Sequence, residues 1–132
     1  MTDTIISNAI DICVCTFRRP ALAQTLRSLA GLKLPESYKV RIIIADNDDS
    51  PTARDLVIGM MDELRLPVHY IHAPARNISL ARNACLDASY ARFVAFIDDD
   101  ETATEEWLLR LVKAAEGSRA DVVLGPVRAG YG

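Results

Sequence analysis

The sequence predicts a doubly wound α/β fold, in which a mostly parallel sheet carries helices on both faces. Five short apolar runs rich in β-branched residues alternate with four segments of helical periodicity. Several runs are apolar at nearly every position, which is typical of parallel strands buried on both faces. This β-α-β-α-β-α-β-α-β order favours right-handed crossovers between parallel strands. Ligands are therefore expected outside the carboxyl ends of the strands.

The predicted strands are the segments in which branched apolar residues run together. They cover residues 10–16, 40–45, 67–72, 92–97 and 121–124. The four predicted helices lie between them and are recognised by their start signals. Pro20 suits a first helical position and Ser50-Pro51 opens the second helix, while the third spans 79–91. For the fourth, Thr102 has capping-box spacing to Glu105, and Thr104 is an equally good cap.

Each predicted helix has an apolar stripe that should face the sheet. In chain order the stripes are Leu22, Leu26 and Leu29; Leu56, Met60, Met61 and Leu64; Leu80, Ala84 and Ala88; and Trp107, Leu108, Leu111 and Val112. The 132 residues are enough for one domain with a substantial core. We find no linker, internal repeat or low-complexity tract that would divide the chain.

Charge and cysteine content exclude several classes of protein. A net charge of −3 gives no general field for binding nucleic acid. Three cysteines cannot all pair within one chain, and the i, i+2 spacing of Cys13 and Cys15 differs from CxxC redox or zinc motifs. The first residues lack signal-peptide features, and no apolar run approaches a membrane span. We expect a cytoplasmic protein, which in a longer form could lie at the cytoplasmic face of a membrane.

Four consecutive acids, Asp98-Asp99-Asp100-Glu101, follow the fourth predicted strand. If the chain stays extended there, Asp98 and Asp100 point to one side and Asp99 to the other. Two hard oxygen donors on one side suit Mg²⁺ or Mn²⁺, and a cation would relieve the repulsion among the acids. The structural alternative is that Asp99, Asp100 and Glu101 favour the positive amino end of the following helix.

Polar residues also follow the other strands. Asp46 ends the second strand, where an acid can accept hydrogen bonds from a ribose or base. The structural alternative for Asp46 is an Asx turn, and for Asp48 and Asp49 this turn is the better interpretation. Arg76 follows the third strand, and Arg82 lies in the first turn of the third helix, where an anion or a base edge could bind. The alternatives are a solvated loop charge for Arg76 and a structural pairing with an acid of the cluster for Arg82, which would not exclude a ligand role.

Four segments together resemble one known family. In order they are ICVCTFRRP, IIIADND, RNISLARNACL and FVAFIDDDE, the last of which contains a DxD motif. This ordered set resembles the nucleotide-binding half of family 2 glycosyltransferases, which have the GT-A fold. The resemblance implies transfer of a sugar, with inversion, from a nucleotide diphosphate donor to an acceptor hydroxyl. The expected donor is a UDP-sugar, and the expected acceptor is a carbohydrate or lipid-linked glycan in polysaccharide or glycan synthesis.

The resemblance also implies roles for particular residues. Asp46 would bind the base, Arg82 would reach the base or phosphates, and Asp100, with Asp98, would ligate Mg²⁺ or Mn²⁺. The implied nucleotide-sugar-binding residues are Thr16, Phe17, Arg18, Asp46, Asn47, Arg82, Asp98 and Asp99. Glycines frequent in the family are replaced by Ser79 and Cys85.

The family's general base lies well downstream of DxD, so it is expected beyond residue 132. Residues 1–132 are therefore interpreted as one donor-binding domain of a longer glycosyltransferase, unable to complete transfer alone, with a sheet edge open to self-association. A non-catalytic nucleotide-sugar-binding module and a nucleotidyltransferase of related fold remain alternatives. The sequence has no GxGxxG after a strand and no P-loop, and it lacks the acids after the first strand that receiver domains and haloacid-dehalogenase-type phosphatases need.

Overall fold

The computed structural model describes residues 6–18, 20–74, 77–118, 122–124 and 128–129. The strands are β1 (Ile6–Thr16), β2 (Lys39–Asp46), β3 (Val68–His72), β4 (Ala91–Asp98), β5 (Glu101–Thr102), β6 (Val122–Leu124) and β7 (Arg128–Ala129). The helices are α1 (Leu22–Ala30), α2 (Arg54–Leu64), α3 (Ile78–Ala88) and α4 (Trp107–Ser118). None of the described helices is long and apolar enough to cross a membrane.

Five parallel strands form the main sheet in the order β3-β2-β1-β4-β6. The predicted α/β fold and all five predicted strands are confirmed. Strand order reverses at β1, which lies between β2 and β4. This reversal is the topological switch point, and the crevice where ligands of such sheets bind lies there, at the carboxyl end of β1. A short antiparallel pair of β5 and β7 was not predicted, because two-residue strands carry no readable periodicity.

The two faces of the sheet are covered unequally. Alternate side chains such as Ile12 and Val14 pack into the larger core with α1, α2 and α4. The side chains between them, such as Cys13, pack with Ala81 and Cys85 of α3 in a smaller core. We call these the α1/α2 face and the α3 face. Every residue at a strand end can be assigned to one face by this alternation.

The helices α1 and α4 bury their predicted stripes, with corrections at their starts. Helix α1 begins at Leu22, so Pro20 precedes the helix instead of filling its first position. Thr102 belongs to β5 and cannot cap α4, whereas the carbonyl of Thr104 accepts a hydrogen bond from the backbone N–H of Trp107 at 3.1 Å.

The predicted stripes of α2 and α3 are partly wrong. Helix α2 buries Val57 with Met60 and Leu64, while Leu56 and Met61 are exposed. Its stripe follows i, i+3 and i+7 spacing from Val57, one residue after the predicted start of the stripe.

In α3 the residues on the sheet are Ala81 and Cys85, whereas Leu80 is 51% exposed. The predicted Ala84 and Ala88 are half-buried, and the helix ends at Ala88, three residues before the predicted end. Small side chains at 81 and 85 let the helix approach the sheet closely, and this outweighs the larger apolar area that Leu80 would bury.

An ion pair with a buried carboxylate ties the carboxyl end of α3 to the sheet. Asp11 of β1 accepts hydrogen bonds from Nε and Nη2 of Arg41 at 3.0 and 2.9 Å. It also accepts one from the Ser89 hydroxyl at 2.6 Å, and Arg41 Nη2 donates to the carbonyl of Ala88 at 3.3 Å. The Asp11 side chain is 4% exposed and that of Arg41 36%. This network lies at the amino end of the sheet, opposite the switch point, and fixes the helix that carries Arg82.

Candidate functional site

The predicted site residues meet at the carboxyl ends of β1, β2 and β4. Thr16 is in register with Asp46 on β2, and Cys15 is in register with Asp98 on β4. The alternation of side chains then divides them. Thr16 and Asp46 continue the α1/α2 face, while Asp98 continues the α3 face, where Arg82 lies. The sequence grouped these residues at one edge correctly, but the division between faces needed the register of the strands.

Asp46 is an anchor of the fold and has no exposed surface. Its Oδ2 accepts hydrogen bonds from the backbone N–H of Ala53 at 2.8 Å and from the Tyr70 hydroxyl at 2.6 Å. Its Oδ1 accepts one from the backbone N–H of Asp48 at 3.2 Å, which closes the Asx turn. Both oxygens therefore accept hydrogen bonds within the protein, which favours the structural alternative, while the base-binding role implied by the resemblance stays a prediction.

Asn47 links the switch point to α3. Its backbone N–H donates to the carbonyl of Thr16 at 2.8 Å, and its Oδ1 accepts from the backbone N–H of Asn77 at 3.2 Å. Asn77 in turn caps α3, since its Oδ1 accepts from the N–H groups of Ser79 and Leu80. Sequence reasoning missed Asn77, although its place just before an apolar helical pattern is a typical N-cap signal. Arg76 lies outside the described residues.

The hydroxyl of Thr16 is buried and has no hydrogen-bond partner among the described residues. Thr16 lines a cavity of about 200 Å³ on the α1/α2 face, together with Arg18 and Thr52. The remaining lining residues are Pro20, Leu22, Ala53 and Leu56. A buried hydroxyl left without a partner costs about 1–3 kcal/mol, so this position favours a polar group in the cavity.

Phe17 and Arg18 leave β1 together and project from the rim. The Arg18 guanidinium lies 5.3 Å from the centroid of the Phe17 ring, and both side chains are exposed. Arg18 also pairs with Asp48 across the edge, with Nε 2.7 Å from Oδ2. This hydrogen bond is the main reason why the pKa of Asp48 falls from 3.8 to about 2. The sequence assigned Asp48 only to a turn, because the pairing joins loops 30 residues apart.

The acid cluster does not continue as an extended strand. Strand β4 ends at Asp98, Asp99 and Asp100 form a turn, and β5 begins at Glu101. The Asp98 side chain is 60% exposed, and its Oδ1 lies 3.9 Å from Nη2 of Arg82. Asp99 is buried and its Oδ2 accepts a hydrogen bond from the backbone N–H of Phe17 at 3.3 Å. The turn therefore separates Asp99, which binds the β1 loop, from Asp98 on the α3 face.

The alternative role of the acids, support of the next helix, is wrong. Helix α4 begins at Trp107 and has no acid in its first turn. Glu101 instead turns back, and its Oε1 accepts a hydrogen bond from the backbone N–H of Asp98 at 3.3 Å. Burial, and then contact with Asp98, raise the pKa of Glu101. Crowded carboxylates therefore remain at the end of β4.

Carboxylates, the ligand type that Mg²⁺ and Mn²⁺ prefer, lie at this position. Within the described parts of the chain, no three His, Cys, Asp or Glu side chains are arranged to hold a metal ion. Mg²⁺ sites at phosphate ligands commonly use only one or two carboxylates, with water and phosphate oxygens completing the shell. Asp98, exposed on the α3 face, and the half-buried Asp100 provide carboxylates of this kind.

Comparison with known proteins adds independent information. The family model of glycosyl transferase family 2 matches residues 11–132. The chain is 55% identical over 123 residues to the succinoglycan biosynthesis protein ExoM of Rhizobium meliloti (strain 1021), which covers 93% of this chain and 40% of ExoM. It is 29% identical over 119 residues to validoxylamine A glucosyltransferase of Streptomyces hygroscopicus subsp. limoneus, covering 88% of this chain and 26% of that protein. The chain thus spans less than half the length of these relatives.

Solved structures with the same fold come from S. aureus TarS. The crystal structure of TarS 1-349 superposes with a TM-score of 0.67 at 20% identity, covering 83% of this chain and 33% of that one. TarS 1-349 in complex with UDP gives 0.66 at 19% identity, covering 83% and 32%. At this identity the likeness establishes the fold alone.

Proposed function

Because this chain belongs to glycosyl transferase family 2, we propose that it binds the nucleotide-sugar donor of a glycosyltransferase, with UDP as the nucleotide. The reaction served is a metal-dependent, inverting transfer to an acceptor hydroxyl. The ExoM relative is named a succinoglycan biosynthesis protein, and this name supports a polysaccharide as the product. The chain covers 40% of that relative, so the proposal concerns donor binding and not a complete transfer by these residues.

The observation that carries the proposal is the buried Thr16 hydroxyl at the switch point. It lines a cavity beside Arg18, at the edge where ligands of open α/β sheets bind. A polar group bound in the cavity would give this hydroxyl a partner, whereas a methyl group would fill the same space without the desolvation cost.

The other residues around the switch point have roles that suit a nucleotide diphosphate. Phe17 offers an exposed ring on which a base can stack, and Arg18 and Arg82 offer planar donors for phosphate oxygens. Asn47 holds the β2 end against α3 between them. Asp46 and Asp99 keep the loops in place.

Asp98 and Asp100 are the residues that would hold Mg²⁺ or Mn²⁺. A bound cation would stabilise the negative charge that develops on the leaving diphosphate. The exposed position of Asp98 leaves room for phosphate oxygens beside it, and the nearby Arg82 balances part of its charge. UDP as the nucleotide finds support in the TarS structure with UDP, which shares this fold.

Thermal unfolding with UDP, with and without Mn²⁺, tests the proposal. A ligand that binds only the folded chain raises the midpoint, by an amount equivalent to about 2.7 kcal/mol at a hundred times its Kd. We expect UDP with Mn²⁺ to raise the midpoint more than UDP alone, and Asp100→Asn to remove the difference. Asp62→Asn, an equal charge change at an exposed position on α2, is the matched control. No shift with any nucleotide, or an unchanged shift in Asp100→Asn, would contradict the proposal.

We also propose self-association through an outer strand of the sheet. Among the described strands, β3 and β6 each have one neighbour only, which leaves an edge that another strand could extend. Light scattering over a range of concentrations tests this, and a constant monomer mass would exclude it.

A further inference from the structure

Arg18 has an unfavourable backbone conformation that its neighbours maintain. Its φ is 47°, in the left-handed region, where a residue with a Cβ is disfavoured by roughly 1–2 kcal/mol. The conformation turns its side chain across the edge of the sheet, where Nε meets Asp48 Oδ2 at 2.7 Å. The contact joins the loop after β1 to the loop after β2.

Asp48 is a rigid partner for this arginine. Its side chain has no exposed surface, and its Oδ2 also accepts a hydrogen bond from the Thr52 hydroxyl at 2.9 Å. Its Oδ1 accepts one from the backbone N–H of Asp49 at 2.7 Å. The backbone is held as well, since its N–H donates to Asp46 and its carbonyl contacts Nε2 of His72 at 2.8 Å. A carboxylate fixed from so many directions keeps one orientation.

The pairing leaves the outer part of Arg18 available. Its contact with Asp48 engages Nε, while the side chain as a whole is 58% exposed. The two Nη groups form the end of the guanidinium fork, which matches the geometry of a phosphate. Arg41 differs, because it binds the Asp11 carboxylate with both Nε and Nη2 and so leaves only one nitrogen for another partner.

We propose that Asp48 is a positioning residue, which holds Arg18 by Nε so that its Nη groups meet the diphosphate of a bound nucleotide. This rests on the proposed function, because it concerns the same donor site. Thr52 completes the arrangement by its hydrogen bond to the carboxylate oxygen that Arg18 contacts. The loop after β2 thus acts on the ligand through Arg18 and not by touching it.

A double-mutant cycle on UDP affinity tests the inference, using the chain with Mn²⁺ and the variants Asp48→Asn, Arg18→Ala and their combination. Asp48→Asn should raise the Kd about tenfold, the effect of misaligning one charge-assisted hydrogen bond. In the Arg18→Ala background the same substitution should change the Kd less than about twofold, because the group that it orients is gone. Asp62→Asn, the same charge change at an exposed position on α2, should bind like the unchanged chain.

Arg18→Lys gives a second test that does not depend on the buried carboxylate. Lysine keeps the charge but presents a single nitrogen, which Asp48 would hold, so UDP affinity should fall nearly as far as in Arg18→Ala. Equal losses from Asp48→Asn in both backgrounds, or full affinity in Arg18→Lys, would overturn the positioning role alone. Absence of UDP binding by the unchanged chain would overturn the proposed function and this inference together.

Discussion

Replacing Asp11 by asparagine should destabilise the chain more than any exposed charge substitution. The change keeps the size of the side chain but removes a charge that accepts three hydrogen bonds, two from Arg41 and one from Ser89. Breaking a fully buried ion pair by losing one partner typically costs about 3–5 kcal/mol. Because Arg41 is 36% exposed, water can satisfy part of its charge, and we expect a loss of roughly 2–3 kcal/mol in the free energy of unfolding.

Urea unfolding followed by circular dichroism measures this loss as a midpoint shift of about 1–2 M. Glu63→Gln is the matched control, since it removes the same charge from an exposed pair with Arg27 at 3.4 Å and should cost under about 0.5 kcal/mol. If Asp11→Asn shifted the midpoint no further than Glu63→Gln, the network at the end of α3 would not be a stabilising element.

Two further predictions concern the switch point. The pKa of Asp48 is lowered on folding from 3.8 to about 2, so its contribution to the free energy of unfolding is present above about pH 4 and lost as pH falls towards 2. In urea unfolding, the stability of Asp48→Asn should therefore differ most from that of the unchanged chain near neutral pH and converge with it near pH 2. A stability difference that stays constant with pH would contradict this. Thr16→Val should stabilise the ligand-free chain by about 1 kcal/mol, because it removes a buried hydroxyl without a partner, and yet weaken UDP binding in the same thermal assay. A destabilised variant with unchanged affinity would show that the hydroxyl serves the fold.

The sequence predicted the sheet well because strand formation here depends on local pattern. Runs such as 40–45 are apolar at nearly every position, and only a doubly covered sheet buries them. The stripe of α3 was harder to predict, because the sheet selects small side chains such as Ala81 for close approach over larger apolar ones such as Leu80. The stripe of α2 is displaced from the predicted one by a single residue, to Val57.

The candidate site was predictable as an edge but not as a set of contacts. Asp46 stands where a ligand-binding acid is expected, yet its carboxylate also accepts hydrogen bonds from Ala53 and Tyr70, which lie 7 and 24 residues away. The direction of Asp99 likewise depends on a turn after β4, which the acid-rich sequence does not specify. Such outcomes are decided by tertiary hydrogen bonds, which no pattern of residue types records.

The central claim is that the carboxyl edge of β1, β2 and β4 binds a nucleotide diphosphate. Isothermal titration of UDP into the chain with Mn²⁺ tests it most directly, alongside Arg82→Ala and the exposed control Arg110→Ala on α4. We predict saturable one-to-one binding that Arg82→Ala weakens about tenfold or more and Arg110→Ala leaves unchanged. No saturable binding, or equal binding by all three chains, would contradict the account.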